Sequence, residues 1–317
     1  MLVLSMITKD AVEKHGAVFV KTLESSLQVP YEKIILVDDS TTDRTRAVVK
    51  RFADEHGKEL VVSPSRLPPG WSKPTRATAR QTAIGIFLEN FGDEWLMFLD
   101  ADAVLRDGWW KWIVVNKILE APDVGEIWGI NWDADDTRRR YLEAFGINFV
   151  QYLLDAFRRR GGTHDTMYRR KAIAGVKIPP WLHLYEDAWL HHYVRCNGWK
   201  SIVNPIGILH YHVDDPADFN KERWLFAIKV AVKYGITEFD MPRSRIRAYI
   251  SLMRPIAGWP FMFATLAKLH GWRRALPASI IRQYRKLWVR WQSIKELRRN
   301  GWRIPDVCEA IKSYVPS

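Results

Sequence analysis

The sequence predicts an α/β fold, a mostly parallel sheet with helices on both faces, followed by a C-terminal helical, basic extension. Three observations carry this. Short apolar runs alternate with amphipathic stretches through the first half of the 317 residues. Two of those runs end in aspartates. Past Pro216 the alternation stops and helical patterns rich in Trp and Arg take over. A βαβα rhythm is what parallel strands joined by crossover helices look like in sequence.

Taken in order, the apolar runs at 2–7, 34–37, 60–62 and 95–99 read as buried strands. Between them, 12–27, 42–56 and 75–90 carry helical periodicity, and Thr42 is placed to cap the second helix. Residues 64–74, PSRLPPGWSKP, form a Pro/Gly-rich loop. A further strand is expected at 126–132, then a helix at 137–159 that stops at Gly161-Gly162, then a strand at 206–212. There is no internal repeat and no low-complexity tract.

Composition narrows the class. Hydrophobic residues make up 47% of the chain, enough for a substantial core, which excludes global disorder. The two cysteines, Cys196 and Cys308, are too few for a disulfide framework and form no C-x-x-C pair, so a reducing, cytoplasmic setting is expected. The N-terminus lacks a basic region ahead of its short apolar run and reads as a first strand rather than a signal peptide. The net charge of +12 is concentrated at one end: residues 221–317 hold 20 Lys and Arg against 6 Asp and Glu, leaving the remainder near neutral. Such asymmetry points to an acidic surface as partner of the tail.

Ligands of parallel α/β sheets bind beyond the carboxyl ends of the strands, and the acidic residues lie there. One strand runs into Asp38-Asp39-Ser40-Thr41-Thr42-Asp43, the other into Asp100-Ala101-Asp102. A carboxylate delivered to a sheet edge must be paired, solvated or bound to a ligand. Asp100 and Asp102, two apart, can reach one cation, and Mg²⁺ or Mn²⁺ prefers oxygen ligands that bridge carboxylates to phosphates. A D-x-D is also common as a solvated turn. Asp38 and Asp39 can accept a base N–H or bind a ribose hydroxyl; the same stretch also makes a good turn and helix cap.

VDDSTTDRT followed by FLDADAVL resembles glycosyltransferase family 2, whose members have the GT-A fold. Ala79-Arg80-Gln81-Thr82-Ala83 is similar to the family's A-R-N-x-G segment. Tyr185-Glu186-Asp187 resembles its E-D motif, Asn197-Gly198-Trp199-Lys200 the Gly-aromatic-basic segment, and Ile208-Leu209-His210 the strand ending in His. The resemblance spans residues 2–215 and implies a catalytic domain there, with a nucleotide-binding half at 1–103 and an acceptor half at 104–215. It departs from the family at Thr8-Lys9-Asp10, where Thr-Tyr-Asn-Glu is usual, and at Gln81 and Thr82. The Q-x-x-R-W motif of processive synthases is absent, which disfavours a processive polysaccharide synthase.

What the resemblance implies is transfer of a sugar from a nucleotide-diphosphate sugar, UDP- or GDP-linked, to an acceptor hydroxyl with inversion. Asp187 matches the general base, with Glu186 shaping the site beside it. Thr8, Asp38, Asp39, Arg80 and Asp100 would bind the donor nucleotide, Arg80 at the diphosphate. Asp102, Asp100 and His210 would hold a divalent cation, Mg²⁺ or Mn²⁺. His212, two residues on and so on the same strand face, is the alternative histidine. Lys73 is a loop candidate for phosphate and equally a solvated lysine; Trp189 is an acceptor-side candidate. Gly161-Gly162-Thr163-His164 matches the small residues the family places beneath the donor sugar. His183, His191 and His192 read as surface or packing residues.

The tail, 216–317, holds six tryptophans. Its least polar run, 255–267, is too short and too proline-interrupted to span a membrane. The Trp/Arg pattern at helical spacing suits a helix lying in an anionic membrane interface, which would place the protein peripherally on the inner face of the cell membrane. The alternative is a helical layer packed on protein with its arginines in water. The acceptor would be a glycan or a lipid-linked acceptor. A nucleotidyltransferase would need a Gly-rich phosphate loop after the first strand, and Thr8-Lys9-Asp10-Ala11 is not one. A nucleic-acid partner is not expected, for no RNP motif, zinc knuckle or helix-turn-helix is present.

Overall fold

The computed structural model describes residues 2–211, 220–237, 241–242 and 244–315. The chain divides into two compact units: residues 1–135, 160–212 and 314–317 form one, residues 136–159 and 213–313 the other.

The first unit is built on an eight-stranded sheet. It opens β1 (Leu2–Thr8), α1 (Ala11–His15), α2 (Ala17–Ser26), β2 (Lys33–Asp38), α3 (Arg44–Glu55), β3 (Glu59–Ser63), α4 (Arg76–Asn90), β4 (Trp95–Phe98), β5 (Ala103–Leu105), α5 (Trp109–Val115) and β6 (Val124–Asp133). After α6 (Thr137–Ala144) and α7 (Phe149–Arg160) it resumes with β7 (Met167–Arg169), α8 (Arg170–Ile173), α9 (Glu186–Cys196) and β8 (Lys200–His210). The strand order is β3-β2-β1-β4-β7-β6-β8-β5. β3, β2, β1 and β4 pair in parallel, as do β6 and β8, while β7 and β5 run against their neighbours. Strands of a parallel sheet are covered on both faces and therefore read as unbroken apolar runs. Accordingly Leu2, Val3, Leu4 and Met6 of β1 and Ile34–Val37 of β2 are buried on either side.

α4 matters most for the site. Thr75 caps it, accepting from the Thr78 amide at 3.2 Å, while the Thr75 amide donates to Thr78 Oγ1 at 2.8 Å, a reciprocal capping box. Small residues at Ala77, Ala79 and Ala83 let the helix lie close on the sheet, and nine of its side chains are buried, Arg80 among them.

Several elements differ from the sequence expectation. The helix expected at 12–27 is divided at Gly16 into α1 and α2. That expected at 137–159 is divided between α6 and α7, where Gly146 takes φ +71°, a left-handed turn that ends a helix. Thr42 does not cap α3: Asp43 holds that position, and Thr42 Oγ1 donates to Glu13 at 2.9 Å. Of the strand expected at 206–212, residues 206–210 form the second half of the longer β8, and residue 212 lies outside the described residues. β5 and β7, three residues each, were too short to announce themselves. Neither Cys196 nor Cys308 is a free thiol, so the reduced pair expected from the cysteine count, and the compartment inferred from it, lose that support.

The second unit is helical. It takes α6, nearly all of α7, α10 (Lys221–Tyr234), α11 (Arg245–His270), α12 (Trp272–Arg299) and α13 (Val307–Lys312). α11 and α12 turn at Gly271 and pack antiparallel: Trp259 Nε1 donates to Ser279 Oγ at 3.1 Å and Gln283 Nε2 to the Pro255 carbonyl at 2.5 Å. Pro255 lies inside α11 and has no N–H for the Ser251 carbonyl one turn back; Arg290 of α12 donates to that carbonyl instead. Met262, Leu266 and Ala275 form the hairpin's small core, against Tyr141 and Phe145. No helix among the described residues is long and apolar enough to cross a membrane.

Candidate active site

The site lies at the carboxyl ends of β1, β2 and β4 and the start of α9, within the first unit. At its β1–β2 side, Asp38 is buried with both oxygens engaged. Oδ1 accepts from Thr8 Oγ1 at 2.7 Å and Ser40 Oγ at 2.5 Å, and Oδ2 accepts from Arg46 Nε at 2.9 Å. Asp38 thus ties the two loops together and spends its hydrogen-bonding capacity within the protein. Asp39 is more open, but its oxygens accept from the Ser65 amide (3.0 Å) and hydroxyl (2.5 Å). Asp10, where the family pattern was missing, adopts φ +55° and accepts from the amide and hydroxyl of Thr41 at 2.8 and 3.0 Å. The amide hydrogen bond from Thr41, more than any other influence, holds the Asp10 carboxyl below its ordinary pKa.

β4 ends at Phe98 and the chain turns through Asp100 and Asp102. The Asp100 amide donates to the His164 carbonyl at 2.9 Å, so the loop before β7 lies beside the turn. Asp102 Oδ1 lies 3.5 Å from His210 Nε2 because β5 pairs with β8, placing Ala103 opposite His210. Asn131 contacts the other ring nitrogen of His210 at 3.4 Å. Asp100 is directed elsewhere, with Oδ1 3.8 Å from Arg80 Nη2 and its side chain 37% exposed. The two aspartates of the D-x-D therefore face different neighbours.

Arg80 is 2% exposed, stacked over the Phe98 ring at 4.6 Å, with Nη2 3.4 Å from Glu186 Oε1. Its Nε and Nη1 have no protein partner, and neither has Glu186 Oε2. Burial, and then the neighbouring Asp187 charge, raise Glu186 to about 7 against the opposing pull of Arg80. Asp187 is more accessible. Its Oδ1 accepts from the Ala188 amide at 2.7 Å and its Oδ2 lies 3.7 Å from Arg160 Nη2. Acidic residues in the first turn of α9 suit the positive end of a helix.

Trp189, three residues past Glu186, is buried, its ring edge-on to Tyr314 at 5.3 Å. Lys73 is exposed on the 64–74 loop. His212 lies outside the described residues. His191 is buried against Glu126 Oε2 at 2.7 Å. The sequence points to His164 only as the end of the Gly161–His164 stretch, and to Arg160 not at all. His164 Nδ1 donates to the buried Asp165 at 2.7 Å while its Nε2 accepts from Trp128, and its ring is 5.9 Å from that of His210. Arg160 stands beside Asp187. An Arg158-Arg159-Arg160 run at a helix end reads as solvated charge, and only the helical phase separates its third member from the first two.

Among the described residues no three His, Cys, Asp or Glu side chains gather into a cage for a metal ion. A small hard dication that shares its shell with phosphate needs only one or two protein ligands and keeps several waters. Asp102 and His210, an oxygen and a nitrogen donor facing each other at 3.5 Å, fit that smaller requirement.

The glycosyl transferase family 2 model matches residues 13–175, just over half of the chain. The chain belongs to glycosyl transferase family 2. No curated protein matches it. Among solved structures it resembles the mannosyltransferase PcManGT from Pyrobaculum calidifontis, in complex with GDP-Man and Mn²⁺, at 16% identity and a TM-score of 0.51, covering 95% of this chain and 87% of that one. S. aureus TarS 1-349 is 14% identical with a TM-score of 0.48, covering 95% and 91%. Glucosyl-3-phosphoglycerate synthase from Mycobacterium tuberculosis, in complex with Mn²⁺, UDP and phosphoglyceric acid, is 15% identical with a TM-score of 0.44, covering 68% and 72%. At such identities the likeness is one of fold, and this family 2 chain has the mixed α/β GT-A architecture with a C-terminal helical region.

Proposed function

We propose that the protein transfers a sugar from a UDP- or GDP-sugar to an acceptor hydroxyl, with inversion at the anomeric carbon. The observation that carries the proposal is the convergence, at one sheet edge, of Asp102 with His210 and of Arg80 with Asp100 and Glu186, next to Asp187.

Thr8, Asp39 and Asp100 would contact the nucleoside, with Asp38 acting through the loop it holds. Arg80 and the cation site would face the diphosphate. Asp102 and His210 would hold Mg²⁺ or Mn²⁺, which when bound offsets the charge that builds on the leaving diphosphate. In a single displacement the acceptor oxygen bonds to the anomeric carbon as the carbon–phosphate oxygen bond breaks. The nucleoside diphosphate leaves with that electron pair. Asp187 takes the acceptor proton, for which a carboxylate at hydrogen-bond reach is needed. Glu186, drawn into the protein toward Arg80, is less suited to accept it. A glycan or lipid-linked acceptor at an anionic membrane surface, bound by the exposed apolar and basic residues of α11 and α12, completes the reading.

Thermal-shift titration with UDP-glucose and GDP-mannose tests it. One donor should stabilise the protein more strongly with Mn²⁺ than without. Asp102→Ala should lose the Mn²⁺-dependent part, whereas Asp187→Asn should keep it while turnover falls at least about 100-fold. Donor binding indifferent to Mn²⁺ and to Asp102→Ala would overturn the metal-site assignment; wild-type turnover in Asp187→Asn would overturn the base.

A further inference from the structure

We propose that Arg160 is a positioning residue for Asp187, fixing the start of α9 so that Oδ2 of the carboxylate is presented to the acceptor. This rests on the reading of Asp187 as base. Arg160 grips three of the four residues from 184 to 187. Its Nη2 donates to the Leu184 carbonyl at 2.9 Å, its guanidinium lies over the Tyr185 ring at 5.1 Å, and the same Nη2 is 3.7 Å from Asp187 Oδ2. The planar guanidinium suits this role, because it stacks on an aromatic face while donating in its own plane.

The two oxygens of Asp187 are consequently unequal. Oδ1 is held by the Ala188 amide of its own helix, and Oδ2 is the one steered by Arg160. The adjacent acid is held from the opposite side, Glu186 by Arg80 of α4. Each member of the Glu186-Asp187 pair has its own arginine, and the pair is thereby split into an inward and an outward carboxylate. The base of the grip is also fixed. Gly161 follows with φ +75°, and a Cβ there would sit 2.4 Å from His191 Cβ, so the chain leaving α7 passes against α9 where only glycine fits. His191 is in turn tied to Glu126 of β6.

An ion pair with side chains 29% and 15% exposed adds little to stability. Its consequence is geometric, since misplacing a reacting group by about 1 Å can cost about 100-fold in rate. The test uses the full chain with Mn²⁺ and UDP-glucose or GDP-mannose, following release of the nucleoside diphosphate with water as acceptor. Arg160→Met should lower kcat about 10- to 100-fold, with donor affinity close to wild type and Tm lowered by only about 2–4 °C, the cost of the lost Leu184 hydrogen bond. Arg160→Lys, which restores charge but not the fork, should recover part of the loss. In an Asp187→Asn background, Arg160→Met should add less than about a twofold loss, as expected when one residue acts through the other. Independently of turnover, hydrogen exchange of the 184–190 segment should quicken in Arg160→Met. Multiplicative losses in the double variant, wild-type kcat in Arg160→Met, or unchanged exchange at 184–190 would each overturn the proposal. Failure of the base reading is distinct, for it shows as Asp187→Asn retaining turnover.

Discussion

Glu186 and Asp187 are neighbours in sequence with opposite environments. Glu186 is enclosed against Arg80, and burial raises it to about 7; Asp187 keeps access to solvent. A carboxyl whose pKa is raised on folding binds more protons in the native than in the unfolded state. Its contribution is fully present below its unfolded value, near 4.5, and is lost as pH rises through about 7. Glu186→Gln lacks that titration. The Tm of Glu186→Gln relative to wild type should therefore rise between pH 5 and pH 8, by roughly 1–3 °C if about 1 kcal/mol is involved. Differential scanning fluorimetry in matched buffers measures it, and a gap that stays constant or narrows over that range contradicts the assignment. The aspartates of the D-x-D show the same principle, Asp102 turning to His210 and Asp100 toward Arg80, so adjacent acids in sequence need not act together.

At the scale of elements, the long strands were legible because their residues are apolar on both faces. β1, β2 and β4, and the acids that end β2 and follow β4, could be read directly from runs such as Ile34–Val37. β5 and β7 could not, having three residues each and borrowing their conformation from β8, β4 and β6. Yet β5 is what brings Asp102 to His210, a pairing that no local pattern encodes. Arg160 was illegible for a related reason: its partners are 24 to 27 residues away and its own neighbours are also arginines. Trp189 lies beside the E-D motif, and its helical phase turns it inward. The α11–α12 pair shows how a helix tolerates an internal proline. Arg290 donates to the Ser251 carbonyl that Pro255 leaves without a partner. Arg290→Met should cost about 1 kcal/mol, seen as a lower urea midpoint by circular dichroism. A midpoint equal to wild type would mean that water serves that carbonyl equally well.

At the scale of the whole molecule, charge and exposed apolar surface coincide in the C-terminal helices. Residues 221–317 carry 20 Lys and Arg against 6 Asp and Glu. On α11, Ile246, Ile250, Met253 and Phe261 follow helical spacing along one side, each at least 55% exposed. Trp272 opens α12, also exposed. An apolar stripe bordered by arginines is the surface an interfacial helix presents, its side chains entering the headgroup boundary while the cations meet anionic lipid. Both terms are separable by experiment. The 317-residue chain should pellet with phosphatidylglycerol vesicles and far less with phosphatidylcholine. Raising NaCl from about 0.1 M to about 1 M shortens the Debye length from about 10 Å to about 3 Å and should release most of it. Ile250→Glu with Met253→Glu should weaken binding to phosphatidylglycerol while leaving donor-induced thermal stabilisation intact. Equal pelleting with both lipids would remove the electrostatic term. No pelleting with phosphatidylglycerol at low salt would leave these helices as a protein-packing layer with solvated arginines, and the acceptor would then have to reach Asp187 from solution.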